Sequence, residues 1–257
     1  MSTLTITLLQ SSLHWLDKDA NLSMFEKKLA EIATKPDLIL LPETFATGFA
    51  INLDCAEPEN GKVLNWLKVQ AHRHKAVIAG SVLVAQSDKK ANRFYWVKPN
   101  GEVDYYDKRH LFRLGNEGDY VIAGQARKVF EINGFKLLPQ VCYDLRFPVF
   151  QRNNNDYDVM INVANWPAVR RHIWDTLLAA RAMENLCYVV GVNRVGNDGN
   201  GVAHSGGTAI YDFKGDKLAK AADNTEQLVT FTLEKTPLEV FKKGFPAYLD
   251  ADKFTLL

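Results

Sequence analysis

Three residues of different chemistry stand where apolar runs give way to loops: Glu43, Lys108 and Cys142. Cys142 closes the run Lys136-Leu-Leu-Pro-Gln-Val-Cys142, with Tyr143, Asp144 and Arg146 next and Pro148 barring further strand pairing. Glu43 ends Asp37-Leu-Ile-Leu-Leu-Pro-Glu43, and Lys108 ends the arm that starts at Val103. Singly, each has an ordinary structural reading. A free cysteine usually packs as a small hydrophobe, Glu43 could be a loop charge or a helix cap, and Lys108 a solvated hairpin end. Together they fit one chemistry. A thiol with a pKa of ~8.5 is only slightly ionised at neutral pH and needs a base within hydrogen-bond reach. A glutamate shielded from water gains basicity. A nearby ammonium would keep that carboxylate ionised and stabilise the oxyanion formed on attack at a carbonyl, with the Tyr143 N–H as a second donor. This is acyl transfer through a thioester. None of the six histidines has a place that marks it as the base.

The elements that must position these residues follow from periodicity. Leu4–Gln10 alternates like a strand, Asn21–Ala33 carries Leu22, Phe25, Leu29 and Ile32 at helical spacing, and Asp37–Glu43 is a strand buried on both faces. A helix over Gly61–His74 precedes a strand at Ala76–Val84. A hairpin follows, turning at Pro99-Asn100-Gly101. Tyr157–Ala164 and Cys187–Asn193 are further buried strands, separated by a helix over Arg170–Leu186. Arg181 falls within the apolar arc of that helix, so it needs a hydrogen-bonded partner, Glu184 or an acid of another subunit, and reads as architectural. Gly207–Asp212, Leu218–Ala221 and Leu228–Leu233 suggest a small antiparallel set, and the chain from about residue 237 an extended tail. Too few helices separate the strands for a doubly wound sheet or an eightfold barrel. A single α/β domain over residues 1–257, two sheets with helices outside, fits the count.

Composition narrows the function classes. The 257 residues are 47% hydrophobic with a net charge of +1, which offers no electrostatic footprint for nucleic acid or an anionic membrane. No apolar run reaches the ~18 residues that span a bilayer, and no Lys or Arg precedes Lys18 to open a signal peptide. Three cysteines at 55, 142 and 187 make no disulfide framework, which points to a cytoplasmic protein. Neither Cys-x-x-Cys nor His-x-x-x-His spacing occurs, so no metal is expected. The glycines between Gly196 and Gly201 follow a strand, but no helix opens after them to hold a phosphate.

Four blocks, Leu40-Leu-Pro-Glu-Thr-Phe45, Tyr106-Asp-Lys-Arg-His-Leu-Phe112, Val141-Cys-Tyr-Asp-Leu-Arg-Phe147 and Ala164-Asn-Trp-Pro167, closely resemble the signature blocks of the nitrilase (carbon–nitrogen hydrolase) superfamily. The resemblance implies a four-layer αββα sandwich, a homodimer, no cofactor, and a triad of Glu43 as base, Lys108 and the nucleophile Cys142. It matches Glu117 to a further acid that helps position groups in the site, and Trp166 to the pocket wall. Within the superfamily the chain looks most like bacterial ω-amidases, which cleave the terminal amide of 2-oxoglutaramate and 2-oxosuccinamate. A substrate carboxylate would need a cation, and Arg146, Arg170 and Arg194 are the candidates, Arg146 being alternatively tied to Asp144. The chain departs from the usual pattern at Thr208 and Phe213, away from the triad. Two alternatives stand beside this reading: the same triad acting on a nitrile, an N-carbamoyl compound or another small amide, and a non-catalytic binding module that would be expected to have lost a triad member.

Overall fold

A computed structural model of the chain describes residues 2–256. Its strands are β1 (Thr3–Gln10), β2 (Leu38–Leu40), β3 (Val77–Gln86), β4 (Lys89–Val97), β5 (Val103–Asp107), β6 (Phe130–Ile132) and β7 (Phe135–Val141). They continue as β8 (Val159–Ala164), β9 (Tyr188–Asn193), β10 (Val195–Asn197), β11 (Ala203–Ser205), β12 (Ala209–Tyr211), β13 (Lys217–Lys220) and β14 (Gln227–Glu234). One sheet has the order β14-β1-β2-β3-β4-β5 and the other β13-β12-β9-β8-β7-β6, with β10 and β11 as a separate hairpin. Three neighbouring strands of each sheet run parallel, β1-β2-β3 and β7-β8-β9, and antiparallel strands flank them. The helices are α1 (Lys18–Ala30), α2 (Lys62–His74), the single-turn α3 (Glu117–Tyr120) and α4 (Pro148–Gln151), α5 (Arg171–Asn185) and α6 (Lys235–Gly244).

The period-2 alternation of strand side chains sorts the core into layers. Ile6, Leu8, Leu40 and Ala79 of the first sheet meet Leu137, Ile161 and Val190 of the second. The alternate residues face outward: Leu9, Ile39 and Ile78 pack on Phe25 and Leu29 of α1 and Leu67 of α2. Leu138, Met160 and Val189 pack on Trp174, Leu178 and Ala182 of α5. Both faces of the parallel strands are therefore buried, which is why they read as unbroken apolar runs. The result is an αββα sandwich. Helix and sheet come close enough at Gly191 that a Cβ there would lie 2.6 Å from Leu178 Cδ1.

Three local expectations are corrected. Helix α1 opens at Lys18, not at residue 21, because the Asp17 side chain accepts from the Ala20 N–H and caps it. Strand β14 does not join β12 and β13; it pairs along its whole length with β1 in the other sheet, where Thr5 and Thr7 face Thr232 and Thr230. The chain from about residue 237 is not extended at first: Leu238 is buried on one face of α6, a 3-10 turn follows at Ala247–Asp250, and residues 251–256 lack regular structure. The Gly196–Gly201 stretch forms the β10–β11 hairpin, with Gly196 and Gly201 in the left-handed region.

Candidate active site

Glu43 lies in a turn three residues past β2, Lys108 directly after β5, and Cys142 directly after β7. The parallel strands point their carboxyl ends the same way, so residues far apart in sequence arrive at one end of the sandwich. Glu43, Lys108 and Cys142 line one cavity of about 330 Å³.

Cys142 opens a 3-10 turn, Cys142–Arg146, with φ 46°, a left-handed conformation that a side chain rarely adopts. Asp144 holds that turn. Its Oδ2 accepts from Val141 N at 2.9 Å and Tyr106 Oη at 2.8 Å, while Oδ1 meets His110 N at 2.9 Å and His110 Nδ1 at 2.7 Å. Arg181 of α5 braces the far end by donating from Nη2 and Nε to Leu145 O at 2.8 and 3.1 Å, with Glu184 at 2.8 Å on Nη1. The expected partner of Arg181 is present, together with a backbone carbonyl that the helical wheel alone could not reveal.

Glu43 is fully buried and bonded at both carboxylate oxygens. Oε1 accepts from Lys108 Nζ at 3.1 Å and Asn92 Nδ2 at 2.9 Å, and Oε2 from Asn165 N at 2.8 Å. Lys108 also donates to the two oxygens of Glu117 at 3.0 and 2.9 Å, and both side chains are buried. Glu117 sits behind the lysine, away from the cavity lining, and takes the Phe112 N–H at 2.6 Å. Burial pushes the Glu117 carboxyl up, Lys108 opposes that, and the Glu43 charge adds to the rise. For Lys108, burial alone would lower the pKa, but Glu117 and Glu43 more than reverse it, so the group stays an ammonium. Burial raises the Cys142 thiol well above its ordinary value, and the Glu43 charge raises it further against the pull of Lys108. The resting sulfur therefore keeps its proton. The three N–H groups of the ammonium are matched by three carboxylate oxygens, one of Glu43 and two of Glu117. The Tyr143 N–H, second in a 3-10 turn, has no acceptor within that turn.

The wall holds Trp166, whose Nε1 donates to Arg170 O at 2.8 Å. Arg146 is not tied to Asp144; its guanidinium lies over the Trp166 ring at 5.3 Å, and that of Arg170 over Phe112 at 5.4 Å. Both line the cavity, and neither guanidinium has a hydrogen bond or ion pair with another described residue. Arg194 is different. It is fully buried outside the cavity lining and donates to Val195 O and Asn197 O. Sequence reasoning missed Asn92, Asn165 and His204. Asn92 lies among Lys89, Lys90 and Arg93 in the polar half of β4 and carried no distinctive signal; Asn165 lies in the Ala164–Pro167 block without an assigned role; His204 carried no signal.

A buried carboxylate, an ammonium and a thiol meet at the strand ends of an αββα sandwich, a set of groups able to support acyl transfer through sulfur. Residues 5–239 match the carbon–nitrogen hydrolase family. The chain is 48% identical over 100% of both chains to the omega-amidase YafV of Yersinia enterocolitica. It is 31% identical to the 2-oxoglutaramate amidase of Bacillus subtilis, covering 97% of this chain and 98% of the relative. The crystal structure of XC1258 from Xanthomonas campestris, described as a CN-hydrolase superfamily protein with an arsenic adduct in the active site, superposes with a TM-score of 0.97 at 44% identity over 100% of both chains. The chain belongs to the carbon–nitrogen hydrolase family, and its activity is hydrolysis of an amide-type carbon–nitrogen bond.

Proposed function

We propose that this enzyme is an ω-amidase, cleaving the terminal amide of small 2-oxo ω-amido acids such as 2-oxoglutaramate and 2-oxosuccinamate to the dicarboxylate and ammonia. The observation that carries the substrate class is the pair of guanidiniums, Arg146 and Arg170, unpaired in the wall of the cavity that also holds Cys142. An unpaired cation in a partly buried site favours an anionic ligand, and a carboxylate at one end of the substrate meets that need. The names of the relatives agree.

In this reading Glu43 takes the thiol proton as Cys142 Sγ attacks the amide carbon. Lys108 Nζ and the Tyr143 N–H receive the oxyanion. Collapse of the tetrahedral intermediate breaks the C–N bond, Glu43 returns the proton to the leaving nitrogen, and ammonia departs. Glu43 then deprotonates a water that attacks the thioester; the sulfur leaves and is reprotonated, freeing the acid. Glu117 keeps Lys108 positioned and charged, and Trp166 shapes the wall. One domain, a cytoplasmic setting and a homodimer complete the proposal; the family resemblance and the three unpaired cysteines support them.

Ammonia release across 2-oxoglutaramate, 2-oxosuccinamate, simple nitriles and N-carbamoyl amino acids tests the substrate class. The first two should dominate by kcat/KM; a preference for nitriles or N-carbamoyl compounds would refute it. A thioester mass on Cys142 during turnover tests the intermediate.

A further inference from the structure

Asn92 stands on the face of β4 that carries Phe94 and Trp96 into the core between the two sheets, where an apolar side chain would be ordinary. It is fully buried, yet only one end of its amide is matched. Nδ2 donates to Glu43 Oε1 at 2.9 Å, while Oδ1 has no hydrogen-bond partner among the described residues. A buried amide oxygen without a partner costs stability. A leucine of similar shape would lose one bond and remove that orphan, so folding alone does not account for an asparagine here. The main chain of Asn92 also accepts the Lys108 N–H at 2.9 Å. Any side chain would keep that bond, so what the amide adds is confined to Glu43.

Donors from three parts of the chain hold the Glu43 carboxylate. Oε1 receives Lys108 Nζ and Asn92 Nδ2, and Oε2 receives the Asn165 N–H. Lys108 is a divided donor, because its ammonium also bonds both oxygens of Glu117. Without Asn92, Oε1 would answer to that shared ammonium alone, and the carboxylate would be free to turn toward it. Its charge would survive and its fixed plane would not, and proton transfer depends on that plane. We propose that Asn92 is a positioning residue of the hydrolysis, which fixes the Glu43 carboxylate against the pull of Lys108 so that it meets the Cys142 thiol, the leaving nitrogen and the attacking water in turn. This rests on Glu43 as the base in the reaction above.

The test uses the amide that wild type cleaves fastest in the panel above. Asn92→Leu removes the donor and the orphaned oxygen together. Its kcat should fall by about 10- to 100-fold with KM within about threefold of wild type, and its thermal midpoint should stay within about 3 °C. A kcat within about twofold of wild type overturns the proposal, and so does a loss carried by KM. Asn92→Asp keeps the size and exchanges the donor for an acid, which then shares a proton with Glu43 across the same contact. The charged and titratable groups around that pair are Lys108, Glu117 and Cys142. Its kcat/KM should reach half-maximum at a more alkaline pH than in wild type, because one proton must leave the pair; a merely structural role would scale the profile without moving it. A profile that overlays that of wild type overturns the proposal even where Asn92→Leu does not fold. Glu43→Gln separates the two failures: wild-type kcat in that variant sinks Glu43 as the base and this inference with it, whereas an inactive Glu43→Gln beside fully active Asn92 variants sinks this inference alone.

Discussion

Replacing Lys108 by Met removes a charge that two buried carboxylates share, and its consequence can be worked out. Lys108, Glu43 and Glu117 all have fully buried side chains, with N···O separations of 3.1 Å to Glu43 and 2.9 Å to Glu117. Breaking a buried ion pair by deleting one partner costs about 3–5 kcal/mol, because the other charge is left without compensation. Two carboxylates now face each other, and the least costly response is for one of them to hold a proton. Burial and mutual repulsion lift that carboxyl above its ordinary range. The sign follows from linkage. In the variant the folded pKa exceeds the unfolded one, so between the two values the folded state binds more protons than the unfolded chain. Its deficit relative to wild type should therefore be largest near pH 8 and shrink by up to ~1.4 kcal/mol per unit on acidification toward pH 5. Urea denaturation followed by tryptophan fluorescence at pH 5, 6, 7 and 8 measures this. A variant whose midpoint matches wild type, or whose loss is the same at every pH, would refute the claim that the three groups form one buried charge cluster.

Other outcomes follow from the same geometry. Cys142→Ala should abolish turnover while the thermal midpoint stays near that of wild type; retained activity would overturn the nucleophile assignment. Since burial and Glu43 raise the Cys142 thiol, its alkylation by iodoacetamide should keep accelerating above pH ~9, where an ordinary thiol of pKa ~8.5 would level off. Arg170→Ala and Arg146→Ala should each raise KM for 2-oxoglutaramate by about tenfold or more with a smaller change in kcat; an unchanged KM in both would remove them as carboxylate receivers. Asp144→Asn turns one acceptor oxygen into a donor against groups that already donate, so stability should fall by about 2–3 kcal/mol and kcat with it, as read by urea midpoint and steady-state rate.

The convergence of Glu43, Lys108 and Cys142 was legible because these residues sit at punctuation marks. Apolar runs that stop at Pro42-Glu43 and at Cys142 announce strand ends, and strand ends in parallel sheets converge. The spacing of four short blocks carried the family, and the wheel of α5 carried the need of Arg181 for partners. These are local properties, set by side-chain type and period, so they survive without coordinates.

What required tertiary structure was every partnership across long sequence separation. The pairing of β14 with β1 joins residues more than two hundred positions apart, and the alternation of Leu228–Leu233 is equally compatible with either sheet. Lys108 meets Glu117, not only Glu43, because the α3 turn folds back over it. His204 reaches the cavity wall only because a hairpin rich in glycine carries it there. The sequence by itself determined which groups are chemically capable and which stretches must be buried. Only the folded chain decided which charges neutralise one another and which are left facing a substrate, since burial and partner geometry, not residue type, set the energy of a charge.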